Sequence, residues 1–526
     1  MTDPPSLRYV TEHAGARAFS SDLLLAAGLA ALAFLACAAM ALLVTERIPH
    51  LEDEAAYLYQ ARVFARGALW GPPAPDERLF STPFVLTIEG RRVGKYSIGW
   101  PLLLSLGERL GAGWLLNPLL GAISVALIYA LARDLYDRRT AITAAILAGS
   151  SPLFLIQSST FMSHAAAALW MALYLWAVLR AARAGRTAGR AAVRSWALIA
   201  GIALGMLALT RPFTALAAAI PSVALFAVTL LRVRRGMEAL APHNLLAAYW
   251  PLPAAALIIA ALQPAYLWAV TGSPTTNLYT LIWPYDRLGF GPGIGPYGGH
   301  TLGQALRNAY ADLYLWSADL FGWPRVSWVP ILAGVMLAAC RPDRERRLWA
   351  GLLAAPFAVL VLLHLAYWVG AQVYGPRYYY EAHAGLAVLA AVGLNGAATW
   401  IASRLRSRPA FVLVALLAAG LAVNLFAYLP QRLEQWHDLY GITRTPVDDL
   451  EALRGDDPAL VLVRGSRWVE YAALFSLNSP WYDGPVVVAH DVTPDLSAAA
   501  ARAFQGRQVW YYRDGEFSAH PSRYTD

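Results

Sequence analysis

Just after its first long apolar run the chain reads His50-Leu51-Glu52-Asp53-Glu54-Ala55-Ala56-Tyr57-Leu58-Tyr59-Gln60-Ala61-Arg62. On a helix Asp53 and Tyr57 share one face, and Glu54 lies on the next. A carboxylate within hydrogen-bond reach of a hydroxyl or amine can take its proton, which makes this acidic run a candidate for base chemistry. The plain alternative is a first helical turn, where acids meet the positive end of the dipole. The second stretch is Gly94-Lys95-Tyr96-Ser97-Ile98-Gly99-Trp100-Pro101. Lys95 is the one lysine among 42 Lys and Arg residues. Its ammonium is a compact charge suited to a phosphate oxygen; the ordinary alternative is a solvated surface charge.

Two arginines stand where spans turn on the same side. Arg211 lies in Thr210-Arg211-Pro212, and Arg377 in Tyr374-Gly375-Pro376-Arg377-Tyr378-Tyr379-Tyr380-Glu381. Each reads either as a side chain snorkelling to headgroups or as a contact for the phosphate of a lipid-linked substrate. His164, after Ser163, sits at the outer end of a span and reads as a packing residue or a substrate contact. Asp286, Asp312 and Asp319 fall among aromatics, a mixture that suits sugar binding and interfacial anchoring equally.

The elements that must position these groups are membrane spans. Of 526 residues 58% are hydrophobic and only 14% charged, with mean hydropathy +0.44. A water-facing surface cannot be built from so few charges, so a soluble enzyme and a disordered chain are both excluded. A span needs about 20 mostly apolar residues. Eleven stretches qualify: 22–44, 112–132, 140–157, 161–180, 196–210, 213–231, 246–270, 326–340, 348–368, 383–401 and 409–429. With the N-terminus inside, twenty arginines fall in the inner segments 1–21, 133–139, 180–195, 232–245, 341–347 and 402–408, while the short outer turns are nearly bare. This positive-inside bias explains most of the +8 net charge without any nucleic acid.

The expected fold is therefore a polytopic α-helical membrane protein of about 11 spans. Residues 1–21 form a cytoplasmic N-terminus, and 22–430 a transmembrane domain with outer loops 45–111 and 271–325. The glycine-rich 289–299 reads as an irregular loop, and 308–321 as an aromatic amphipathic helix. Residues 431–526 have the balance of a small extracytoplasmic α/β domain, with strands near 459–463, 486–489 and 508–512 and helices at 468–475 and 496–504. Cys37 and Cys340 lie in apolar runs and indicate no disulfide framework. No His/Cys/Asp ligand cluster stands out, so no cofactor is expected.

Asp53-Glu54-x-x-Tyr57-x-x-x-Ala61 after the first span resembles the acidic signature of the GT-C membrane glycosyltransferases. Lys95-Tyr96-x-x-Gly99-Trp100-Pro101-Leu102-Leu103 is similar to the re-entry turn of their bacterial branch, which is related to protein O-mannosyltransferases and lipid A aminoarabinose transferases. Arg377-Tyr378 after Gly375-Pro376 is similar to that branch's late arginine motif. The resemblance covers about residues 20–430. The sequence departs from the pattern at Ser97-Ile98 and at Glu381, where prolines are frequent, and in its α/β tail.

The resemblance implies an inverting transferase of the bacterial inner membrane that works at the outer face. It would move a sugar, hexosyl or pentosyl, from a polyprenyl-phosphate donor to a glycan, lipid or protein acceptor. Asp53 would be the catalytic carboxylate and Glu54 its partner. Lys95, Arg377 and Arg211 would bind the donor phosphate, with Tyr57, His164 and Tyr378 as substrate contacts. Two readings compete, the first of which uses the same cations to hold phosphate without breaking a bond. One is a transporter or flippase for lipid-linked sugars, which intramembrane charges and broken midplane helices would mark. The other is a membrane-anchored binding module whose working part is the tail.

Overall fold

The computed structural model describes residues 5–235, 242–371 and 373–520. The outermost parts of the expected inner N-terminus and tail, and the middle of the inner segment 232–245, lie outside the described residues. The chain is a mostly helical integral membrane protein with a small C-terminal sheet. Among the described residues nine helices are long and apolar enough to cross a bilayer: Ser20–Leu43, Gly113–Leu135, His164–Arg186, Gly189–Thr210, Pro212–Arg234, Pro251–Thr271, Arg344–His364, Arg377–Leu405 and Pro409–Gly441.

Two of the eleven expected spans fall short of this length. The 140–157 stretch is broken into Arg138–Gly149 and Pro152–Gln157. Pro152 cannot continue the preceding ladder, so it opens a new helix that Ser151 caps, its Oγ accepting from Phe154 N at 3.2 Å. The other, Trp328–Ala339, has 12 helical residues, about 18 Å of rise against a hydrocarbon core of about 30 Å.

The loop after the first span is more ordered than its Pro-rich sequence suggests. Its acidic run is the helix Glu52–Ala65. Strands β1 (Val85–Ile88) and β2 (Arg91–Gly94) form an antiparallel hairpin, and the helix Gly99–Arg109 then re-enters the bundle. One hydrogen bond ties the hairpin to the acidic helix, Gln60 Oε1 accepting from Gly94 N at 3.0 Å, and Lys95 N closes the open end of the hairpin on Phe84 O at 2.9 Å. The second outer region keeps Trp283–Thr301 without regular helix or strand, then forms Leu302–Asp319.

In the tail, β3 (Ala459–Val463), β4 (Val486–His490) and β5 (Gln508–Arg513) are parallel, and β6 (Glu516–Ser518) is antiparallel, in the order β4-β3-β5-β6. Every residue of β3 and β4 is buried, as continuous apolar strands covered on both faces should be. The helices Trp468–Phe475 and Pro494–Ala503 make the crossovers. The one sequence signal for the short β6 is the hairpin dipeptide Asp514-Gly515, both at positive φ; its three residues are below what alternation can mark. One face of the sheet shares its core with Ile48 and Ala55, and the other with Leu79 and Phe80. The tail is thus packed directly on the segment that follows the first span.

Candidate active site

The Glu52–Ala65 helix begins with two carboxylates in opposite surroundings. Glu54 is fully buried. Its Oε2 accepts from His50 N and Leu51 N, both at 2.9 Å, and from the Tyr374 hydroxyl at 3.2 Å; Oε1 accepts from Phe161 N at 2.8 Å. Burial pushes the Glu54 carboxyl up to about 7, while these donors pull it back. Glu54 therefore pins the start of the helix to the 158–163 turn and leaves no oxygen facing outward. That turn is also held by Trp100 Nε1 on Phe161 O (2.7 Å) and by Asn117 Nδ2 on Thr160 O (2.6 Å).

Asp53 instead keeps 19% of its side chain exposed. Oδ2 meets Arg377 Nη2 at 3.2 Å, and Oδ1 accepts from the Tyr96 hydroxyl. Arg377 reaches it because Tyr374 and Gly375 take successive left-handed conformations, at φ 58° and 78°, before the 3₁₀ turn Arg377–Ala382. A side chain at position 375 would also meet Asp319 Oδ2 and Leu153 Cδ1, each at 2.9 Å. The left-handed bulky Tyr374 is a strained backbone position. It is held at both ends, by its hydroxyl on Glu54 and by Gln157 Nε2 on its carbonyl at 2.8 Å.

Lys95 lies beside Asp53 in an aromatic box. Its Nζ is 3.5 Å from the Phe84 ring centre, 4.9 Å from Tyr279, 5.0 Å from Trp283 and 5.1 Å from Tyr96. Among the described residues no carboxylate makes an ion pair with it. Rings hold an ammonium through their quadrupoles, at about 0.5–1 kcal/mol when exposed and about 2 kcal/mol when desolvated. Burial lowers the Lys95 pKa, and Asp53, Asp286 and Glu52 oppose that shift.

Arg211 approaches from a third helix pair. Residues before proline avoid the α region, so the chain is extended at Arg211 (φ −146°, ψ 94°), between Thr210 and the helix that Pro212 starts. Gly99 permits the re-entry helix to press on this break; a Cβ there would meet the Leu209 carbonyl at 2.7 Å. Arg211 pairs with Glu381 at 2.8 Å and lies 3.4 Å from Ser163 Oγ. Glu381 Oε1 also meets His164 Nδ1 at 2.9 Å, with both side chains fully buried. Tyr378 lies between the arginines, its ring centre 5.9 Å from Arg211 and 5.6 Å from Arg377. Tyr57 closes the circuit: its hydroxyl is 3.2 Å from Ser163 Oγ and its ring 4.6 Å from that of Tyr96.

The eight residues to which the family resemblance gives site roles therefore join one contact network. Asp312 and Asp319 occupy other posts. Asp312 accepts from Ala371 N at 3.2 Å, and Asp319 is buried against Arg432, at 3.0 Å, and Tyr428. Asp286 accepts from Trp368 Nε1 at 3.1 Å.

Residues 101–268 match the family described as dolichyl-phosphate-mannose-protein mannosyltransferase. In structure the chain is similar to ArnT from Cupriavidus metallidurans in the apo state, with TM-score 0.57 and 15% identity over 94% of each chain. The chain has the GT-C fold. ArnT from Cupriavidus metallidurans bound to undecaprenyl phosphate gives TM-score 0.53 at 15% identity, covering 89% of this chain and 85% of that one. No curated protein matches the sequence.

The matched interval holds His164 and Arg211, whereas Asp53, Lys95 and Arg377 lie outside it. Within this GT-C fold the network also recruits residues that sequence reading left aside. Tyr96 and Glu381 lie inside the Lys95 and Arg377 stretches and Ser163 precedes His164, yet their types and spacing assign them no role; Glu381 is a departure from the family pattern. Phe84 comes from one segment and Tyr279 and Trp283 from another, and they carry no local signal, because only the tertiary fold brings their rings around one ammonium.

Proposed function

We propose that the chain is an inverting glycosyltransferase that moves a sugar from a polyprenyl-phosphate donor to an acceptor hydroxyl or amine at the outer membrane–water boundary. Asp53 takes the acceptor's proton as the acceptor attacks the anomeric carbon. The bond from that carbon to the phosphate oxygen breaks, and the polyprenyl phosphate leaves with the bonding electrons. Lys95 and Arg377, with Arg211 behind Tyr378, stabilise the charge that develops on it. Glu54 acts at one remove, as the residue that positions Asp53. The sugar is a hexosyl or pentosyl group, and the acceptor a glycan, lipid or protein. The arginine distribution supports a bacterial inner-membrane location with the N-terminus inside and with this site and the 431–526 domain outside.

The observation that carries this reading is one partly exposed carboxylate, Asp53, set between Arg377 and the boxed ammonium of Lys95. The ArnT structure bound to undecaprenyl phosphate supports a donor of that class. The test uses membranes supplied with a labelled polyprenyl-phosphate sugar. Asp53→Asn should lower transfer by about 10²-fold or more at unchanged expression, and full activity in that variant would remove Asp53 from the mechanism.

A further inference from the structure

A second polar site lies at the far end of the bundle from Asp53. The helix His164–Thr187 starts beside the Asp53 network and runs 24 residues, about 36 Å at the usual rise. Where it ends, a cavity of about 430 Å³ opens between its last turns, the first turns of Gly189–Thr210 and the start of Arg344–His364. Arg180, Arg183, Arg186, Trp196 and Glu345 line it.

These side chains are built into place. Arg180 meets Asp134 Oδ2 at 3.3 Å and lies over the Trp196 ring at 5.1 Å, and Trp196 packs edge-on against Trp176 at 5.2 Å. Trp176 Nε1 holds the same Asp134 oxygen at 2.9 Å. Glu345 bridges the other two, with Arg183 Nε at 3.2 Å and Arg186 Nη1 at 2.5 Å. Three guanidinium groups thus face two carboxylates, which leaves a net positive cavity. Arg180 and Arg186 each meet their carboxylate through a single nitrogen, so each still presents donors in the planar fork that matches a phosphate. The tryptophan marks the headgroup level, and the pocket walls are helix ends that lipid chains would flank. Topology alone requires arginines on this face, but it does not require them to converge with a tryptophan around a cavity.

We propose that this cavity binds the phosphodiester headgroup of an anionic phospholipid from the inner leaflet. Basic pockets between spans on the cytoplasmic side are suited to such headgroups. The proposal is independent of the transfer reaction, since the pocket and the Asp53 network lie on opposite membrane faces.

Native mass spectrometry of the full chain, released from detergent with phosphatidylglycerol or phosphatidylcholine at equal concentration, tests it. Phosphatidylglycerol adducts should dominate. Arg180→Gln/Arg186→Gln should weaken them about tenfold or more, while Arg404→Gln/Arg408→Gln, on another inner loop, leaves them unchanged. Equal retention of the two lipids, or an equal loss in the control pair, would overturn the proposal. So would displacement of bound phosphatidylglycerol by millimolar inorganic phosphate, which would mark a site for free phosphate. Should the double variant not fold, hydrogen exchange on the unmodified protein in vesicles decides. Residues 180–196 should be protected by phosphatidylglycerol bilayers more than by phosphatidylcholine bilayers, and equal protection counts against it.

Discussion

Asp53 and Glu54 are adjacent in sequence, and a difference in direction of about 100° around the helix gives them different work. Four donors converge on Glu54, so its carboxylate serves as a structural anchor at an electrostatic cost. Its folded pKa, about 7, lies above the ordinary 4.5. The sign follows from linkage: its contribution is fully favourable below pH 4.5, is lost as pH rises to 7, and is level above that, a change of about 3 kcal/mol. Glu54→Gln cannot titrate. The thermal-stability gap between unmodified protein and this variant in detergent should therefore narrow from pH 5 to pH 8; a gap that widens would show the anion to be the better-accommodated form. For Lys95, an ammonium held by rings and left for phosphate predicts a split in kinetics. Lys95→Ala should raise the donor KM about tenfold with the acceptor KM almost unmoved, and equal changes in both would argue against phosphate contact. These residues were legible because each broke a pattern: acids after an apolar run, one lysine in a chain of arginines, arginines on the sparse side. The aromatic box was not legible, since aromatics occur throughout a membrane protein and nothing local distinguishes Phe84, Tyr279 or Trp283.

At the scale of elements, the Glu52–Ala65 helix is held from both sides. The membrane bundle holds it through Glu54, and the tail holds it along its length. Trp468 Nε1 donates to His50 O at 2.9 Å, just ahead of Asp53. Arg62 Nη1 donates to the carbonyls of Ser476 at 2.6 Å and Asn478 at 3.0 Å, and Arg66 pairs with Asp483 at 2.6 Å. Behind them, Arg444 N donates to Glu46 at 2.6 Å and His490 N to Leu79 O at 2.8 Å. The tail's strands and helices could be read from apolar runs and spacing. Its docking could not, because the contacts join residues 398 or more positions apart, largely through backbone carbonyls that carry no side-chain signature. If the tail sets the position of Asp53, loosening one clamp should slow chemistry more than donor binding. Trp468→Phe keeps an aromatic side chain, though a smaller one, and removes the hydrogen bond to His50, worth about 1 kcal/mol. The expected outcome is a kcat lowered about fivefold with donor KM unchanged. A loss of thermal stability at unchanged kcat would make the tail a stabilising appendage only.

For the whole molecule, the question is which face of the membrane holds the Asp53 network. Arginine counting puts that network outside, and the fold makes the assignment testable at two points with very different surroundings. Cys340 is exposed at the C-terminal end of Trp328–Ala339, beside the arginine-rich 341–347. Tyr297 is fully exposed at the tip of the glycine-rich loop, on the same side as the Trp283 ring of the lysine box. Cys37 is buried and should not react. In intact cells with a permeabilised outer envelope, a membrane-impermeant maleimide should label Tyr297→Cys and spare Cys340. Opening the inner membrane should then expose Cys340. The short helices make this more than a formality. Trp328–Ala339 and the broken pair 138–149/152–157 are the two elements whose crossing is not guaranteed by length. If the Trp328–Ala339 element fails to cross, Cys340 shares a face with Tyr297 and both label together. In that case the positive-inside alternation breaks at 341–347, the arginine pocket at Glu345 loses its cytoplasmic setting, and the phospholipid proposal falls while the Asp53 chemistry stands.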